Sequence, residues 1–119
     1  MTKIESYRDL LVWQKGMDIV ESVYRLTDKL PTDERWGLNS QMRRAAVSIP
    51  ANIAEGYGRQ ATGEYRHHLS IARGSLLELE THLLVCQRLG LLTTKETGFV
   101  LDEIQQLSKM FAALISKLR

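Results

Sequence analysis

Apolar residues recur at alternating steps of three and four in four blocks of the chain, the repeat that holds a stripe of side chains on one face of an α-helix. No block keeps the two-residue alternation of a half-buried strand, so the pattern predicts an all-α protein. The first helix is expected from Tyr7 to Leu30, ending before Pro31. It has two stripes, Leu10, Trp13, Met17, Val20 and Tyr24 on one line and Val12, Ile19, Val23, Leu26 and Leu30 on the other. One stripe is enough for a monomeric bundle. The extra width places Leu10, Trp13, Met17 and Tyr24 at an expected subunit interface. The second helix is expected to start at Thr32, whose hydroxyl would cap free amides while Asp33 and Glu34 meet the positive end of the helix dipole. Its apolar line is Leu38, Met42, Ala45, Ile49 and Ile53. The third should run from Gly63 to Leu89, with Tyr65, Leu69, Ala72, Leu76, Leu79, Leu83 and Cys86 in heptad spacing and Gly90 closing it. The fourth opens on the capping box Thr93 to Glu96 and repeats Val100, Ile104, Leu107, Phe111, Leu114 and Leu118. Short turns between such helices predict an antiparallel up-down-up-down four-helix bundle, roughly 35 Å long at 1.5 Å per residue.

Composition agrees with one domain over residues 1–119. The chain is 44% hydrophobic and 25% charged, with two prolines, and a chain of this size buries roughly two-thirds of its unfolded surface without staples. One cysteine excludes an internal disulfide framework. The polar start, Met1-Thr2-Lys3-Ile4-Glu5, lacks the apolar run of a signal peptide or membrane helix, so a cytoplasmic location and no membrane partner are expected. The net charge is only +2, but residues 41–73 hold Arg43, Arg44, Arg59, Arg66 and Arg73 against Glu55 and Glu64. A basic middle of this kind suits a polyanion, or else pairs with carboxylates on neighbouring helices.

Pro50 stands inside the second helix. It cannot donate to the carbonyl of Ala46, and its ring disfavours helix at Ile49, so a kink is expected there. The small residues Ala45, Ala46, Ala51 and Ala54, facing Gly74 and Ser75, predict a close crossing of the second and third helices. Ser40, Arg44, Ser48, Asn52, Glu55 and Arg59 form a polar stripe beside the apolar line, and Glu78, Glu80 and His82 lie on the third helix. The expected structural network is Arg44, Ser48, Asn52, Glu55, Ser75, Glu78 and Glu80. Within it Arg44 faces Glu78 or Glu80, and Asn52 and Ser75 satisfy backbone groups freed by Pro50.

Catalytic chemistry finds little support. Glu64 and His67 have the spacing of a di-iron bundle pair, but the second such pair is missing. Glu78 and His82 would need help from another helix to bind a metal, so no metal, cofactor or catalytic residue is expected. A metal-dependent enzyme using Glu64, His67, Glu78 and His82 is the least favoured reading. Cys86 falls on the core stripe as a small, inert thiol. Gly56-Tyr57-Gly58 reads as a helix end, not a phosphate loop. Arg43, Arg59, Arg66 and Arg73, with Tyr57, Tyr65 and His68, are the candidate nucleic-acid contacts, expected to be sequence-tolerant and sensitive to salt.

The run Gly37-Leu38-x-Ser40-Gln41-x-Arg43-Arg44-Ala45-Ala46-Val47-Ser48-Ile49-Pro50-x-Asn52-Ile53-Ala54-Glu55-Gly56, with the later Gly74-Ser75-Leu76-x-Glu78-Leu79-Glu80, resembles the bacterial four-helix-bundle family of 23S rRNA intervening-sequence proteins. The resemblance covers essentially the whole chain. It implies a left-handed up-down-up-down bundle assembled as a ring of five. The family name reports where some members' genes lie and not an activity. A more distant resemblance reaches the accessory variability determinant of diversity-generating retroelements, a pentameric basic platform for a reverse transcriptase and nucleic acid; this chain is less basic. The expected function is a non-enzymatic homopentamer acting as a scaffold or adaptor for RNA or a nucleic-acid enzyme. The alternative is a ring that binds protein or a small molecule and has no nucleic-acid role.

Overall fold

The protein is described here by a computed structural model covering residues 3–118. Four α-helices follow one another: α1 (Leu11–Thr27), α2 (Leu38–Gly58), α3 (Thr62–Arg88) and α4 (Thr94–Lys117). No strand occurs among the described residues. Each helix packs on two others in cyclic order, α1 on α2, α2 on α3, α3 on α4 and α4 on α1. The molecule measures 43 × 25 × 22 Å.

Two helix starts differ from the sequence reading. Tyr7–Asp9 forms a separate 3-10 turn, in which the Asp9 carboxylate accepts from the amides of Glu5 and Ser6 at 2.8 and 3.2 Å. Leu10 is extended and breaks the run before α1; the apolar spacing continues across this break and hides it. Thr32–Glu34 is likewise an isolated turn, without a side-chain cap from Thr32. The amide of Leu38 instead donates to Glu34 Oε1 at 3.2 Å, so a carboxylate one turn upstream opens α2. The fourth helix starts as its capping box predicts, with Thr93 Oγ1 accepting from the Glu96 amide and Glu96 Oε1 from the Thr93 amide.

The core is the set of inner stripes. Ile19, Val23, Met42, Ile49, Ile53, Leu69, Leu79, Leu83, Leu107 and Phe111 are fully buried, each contributing about 1.5–3 kcal/mol on burial. Cys86 is among them, its thiol against the Met42 sulfur at 3.8 Å, and burial pushes its pKa up, as an inert core thiol requires.

Pro50 lies buried within an uninterrupted α2. It packs on Gly16 of α1, where an added Cβ would stand in ordinary contact with Ile49 Cγ2 at 3.4 Å and Pro50 Cδ at 3.5 Å. Gly74, expected to form the α2–α3 crossing, does not: it is exposed, and a Cβ there would have nothing within 4 Å. The tight point between these helices is Gly56, whose added Cβ would fall 2.5 Å from His68 Cβ.

Candidate functional site

The densest polar arrangement is a seam between α2 and α3. Asn52 Nδ2 donates to Ser48 O at 2.9 Å and to Ser48 Oγ at 3.0 Å, and Ser48 Oγ meets Ser75 Oγ across the interface at 2.9 Å. Both Asn52 donors are thereby used, leaving Oδ1 to accept from His68 Nδ1 at 3.3 Å. That geometry places a hydrogen on Nδ1. His68 Nε2 then lies 3.8 Å from Glu55 Oε2, and the same carboxylate oxygen accepts from Arg59 Nη2 at 2.9 Å. The Arg59 hydrogen bond, and after it the charge of His68, hold the Glu55 carboxyl below the usual carboxylate range. The stability that Glu55 lends is complete above that range and fades as the pH falls below it.

Of the expected network, Ser48, Asn52, Glu55 and Ser75 are brought together. Asn52 reaches the carbonyl of its own preceding turn, not that of Ala46, and Ser75 meets a hydroxyl, so neither serves the carbonyl freed by Pro50. Arg44 makes no ion pair or hydrogen bond among the described residues and lies exposed on the outer side of α2, while Glu78 bonds only its neighbour His82, at 3.3 Å. Glu80 has no ion-pair partner there. The expected pairing of Arg44 with Glu78 or Glu80 is therefore not formed within the chain. The member that sequence reading missed is His68, only 8% exposed. Its signal was the seven-residue spacing to Ser75, which places both on the face turned toward α2.

The four candidate nucleic-acid arginines are differently placed. Arg43 is bound internally: Nε donates to Thr27 Oγ1 at 2.8 Å, Nη2 reaches Asp28 Oδ1 at 2.8 Å and Tyr24 O at 3.3 Å, and its guanidinium sits 4.3 Å over the Tyr24 ring. Arg59 holds Glu55, and Arg66 donates to the carbonyl of Leu118 at 3.0 Å. Arg73 is exposed, with no ion pair or hydrogen bond among the described residues. Tyr57 and Tyr65 pack edge to face at 5.7 Å. The Tyr65 hydroxyl is buried with no hydrogen-bond partner among the described residues, and burial first, with Tyr57 second, pushes its pKa up.

On the first helix, Leu10 and Trp13 are half-buried against the core, and Tyr7 stands edge-on to Trp13 at 5.3 Å. Met17 and Tyr24 remain on the surface. The residues of the least favoured metal set are not gathered. Glu64 and His67 lie near the start of α3, and Glu78 and His82 about 21 Å further along it at 1.5 Å per residue. A second buried polar pair joins α1 to α4, where Lys15 Nζ lies 3.8 Å from Glu103 Oε2. Among the described residues no helix is long and apolar enough to cross a membrane.

Fold and seam together define an all-α four-helix protein whose buried polar groups are used in joining helix to helix. Residues 8–113 match the family described as 23S rRNA-intervening sequence protein, and the chain belongs to that family. A solved protein of unknown function from the S23 ribosomal protein family of Bacteroides thetaiotaomicron superposes with a TM-score of 0.81. The alignment covers 88% of this chain and 98% of that one at 22% identity, which shows a shared fold. No curated protein matches the chain.

Proposed function

We propose that the protein acts without catalysis, as a homopentameric up-down-up-down bundle with α2 kinked at Pro50, a cytoplasmic scaffold or adaptor that associates with RNA or with a nucleic-acid enzyme. The observation that carries this reading is the apolar surface left over once the core is complete. Leu11, Leu77, Leu89 and Phe99 are 54–69% exposed and Trp36 is 85% exposed. So many large apolar side chains on a small domain mark a surface meant to be covered. Opposite chain direction in neighbouring helices is supported by the contacts: Ser48 meets Ser75 while Tyr57 meets Tyr65, and Lys15 meets Glu103 while Lys29 meets Glu96.

The nucleic-acid part rests on Arg73 and the basic middle of the chain. Repeated around a ring, a modest local charge becomes a larger field. The test measures binding of nuclease-treated protein to a structured ribosomal RNA fragment and an unrelated RNA across a salt series, with native mass determined in parallel. Binding is expected to weaken steeply with salt and to differ little between the two RNAs. Arg73→Ala should lower the salt slope by about one for each phosphate contact removed. No binding at low salt would leave a protein-binding ring as the reading, and a monomer at micromolar concentration would remove the ring.

A further inference from the structure

Two outward faces of the subunit, on α2 and α3, fit each other and not their own chain. On α3, Ser70, Gly74, Leu77, Thr81, Leu84 and Arg88 are all exposed and follow steps of four, three, four, three and four. This is a second heptad seam on the side away from the core. Leu77 is 54% exposed and Leu84 44%. On α2, Ser40, Arg44, Val47, Ala51, Ala54 and Gly58 follow the same steps on its outer side. One seam is small and carries the cation Arg44 near its start; the other is leucine-bearing and flanked by Glu78 and Glu80.

We infer that the outer face of α2 in one copy docks antiparallel on the outer face of α3 in the next, with Arg44 meeting Glu78 and Glu80 and with Trp36 seated against Leu84 and Val85. This rests on the oligomer reading above and assigns its faces. Charge selects the direction of docking: an antiparallel pair sets Arg44 against two glutamates, whereas a parallel pair sets it near Arg66 and Arg73.

The register is fixed independently. Within one subunit Ser48 lies level with Ser75, and Tyr57 with Tyr65. Rotation about a ring axis parallel to the helices changes no residue's height. Arg44 of one copy therefore arrives level with Glu78 and Glu80 of the next, the same register that the charges choose. At that register Trp36 comes level with an open depression lined by Thr81, Leu84, Val85, Gln87 and Arg88. Val47 comes beside Gly74, whose missing side chain leaves room for close approach. Arg44 and Glu80, without ion-pair partners among the described residues, gain them. Because the two patches differ, the contact is head-to-tail and is completed only by closing a ring.

The test uses native mass measurement and sedimentation of the full chain, with circular dichroism as a folding control. Arg44→Glu and Glu78→Arg should each weaken assembly about 100-fold, and the chain bearing both changes should assemble again. Gly74→Leu should stay folded, since its side chain meets open space in the single subunit, and should be monomeric. Mixing monomeric Arg44→Glu with monomeric Gly74→Leu should give a one-to-one dimer, because each still offers the face the other lacks. Wild-type protein that is itself monomeric would overturn both this inference and the oligomer reading. An oligomeric wild type whose three single variants assemble unchanged would overturn the docking faces alone.

Discussion

Gly56→Val is expected to destabilise the fold by about 3 kcal/mol, with Gly56→Ala losing less. The new Cβ would lie 2.5 Å from His68 Cβ and 3.4 Å from the Tyr65 carbonyl, so it meets atoms fixed to the α3 backbone and not the movable end of a side chain. Relief requires α2 and α3 to separate near their connection, which stretches the Asn52 to His68 hydrogen bond and the Ser48 to Ser75 contact. Alanine recovers about 1 kcal/mol in helix propensity over glycine, which offsets part of the strain; valine recovers less. The control is Gly74→Ala, which meets nothing and keeps the same propensity gain. Urea unfolding of the four proteins decides the matter: equal midpoints for the Gly56 and Gly74 alanine variants would remove the close crossing as a constraint.

Lys15→Met is expected to cost about 3 kcal/mol, near the low end for breaking a buried ion pair. Glu103 is 5% exposed, and its Oε1 finds no hydrogen-bond partner among the described residues, so the carboxylate depends on Lys15 Nζ at 3.8 Å. Lys15 retains some exposure of its side chain, which allows partial hydration and moderates the loss. Combining Lys15→Met with Glu103→Leu removes both charges and should return the protein to within about 1 kcal/mol of wild type. The double-mutant cycle, read by chemical denaturation, isolates the coupling. A single variant as stable as wild type would mean that water, not Lys15, satisfies Glu103.

Much of this architecture was legible in the chain because periodicity reports which side chains share a face. The inner stripes of α1, α3 and α4 and the capping box at Thr93 could be read from spacing alone. Spacing cannot register a break that preserves it: Leu10 is apolar and in phase, yet its extended backbone separates the Tyr7 turn from α1. The same blindness misplaced the close crossing. Gly74 and Gly56 are equally small in sequence, and only the direction each faces tells which one touches another backbone. The polar seam was half legible, since Ser48, Asn52 and Glu55 lie one turn apart on one helix. Arg44 belongs to the same arithmetic stripe but is rotated outward, because steps of four drift around the helix as they accumulate.

The placement of the seam at the α2–α3 turn bears on how the chain acquires its shape. Its contacts, Gly56 with His68 and Tyr57 with Tyr65, join residues close along the polypeptide, so closing that loop costs little entropy compared with bringing Lys15 to Glu103. The helical hairpin around residues 56–68 is thus the natural place for order to begin, with α1 and α4 condensing on it afterwards, a sequence that pulse-labelled hydrogen exchange would reveal as early protection of these amides.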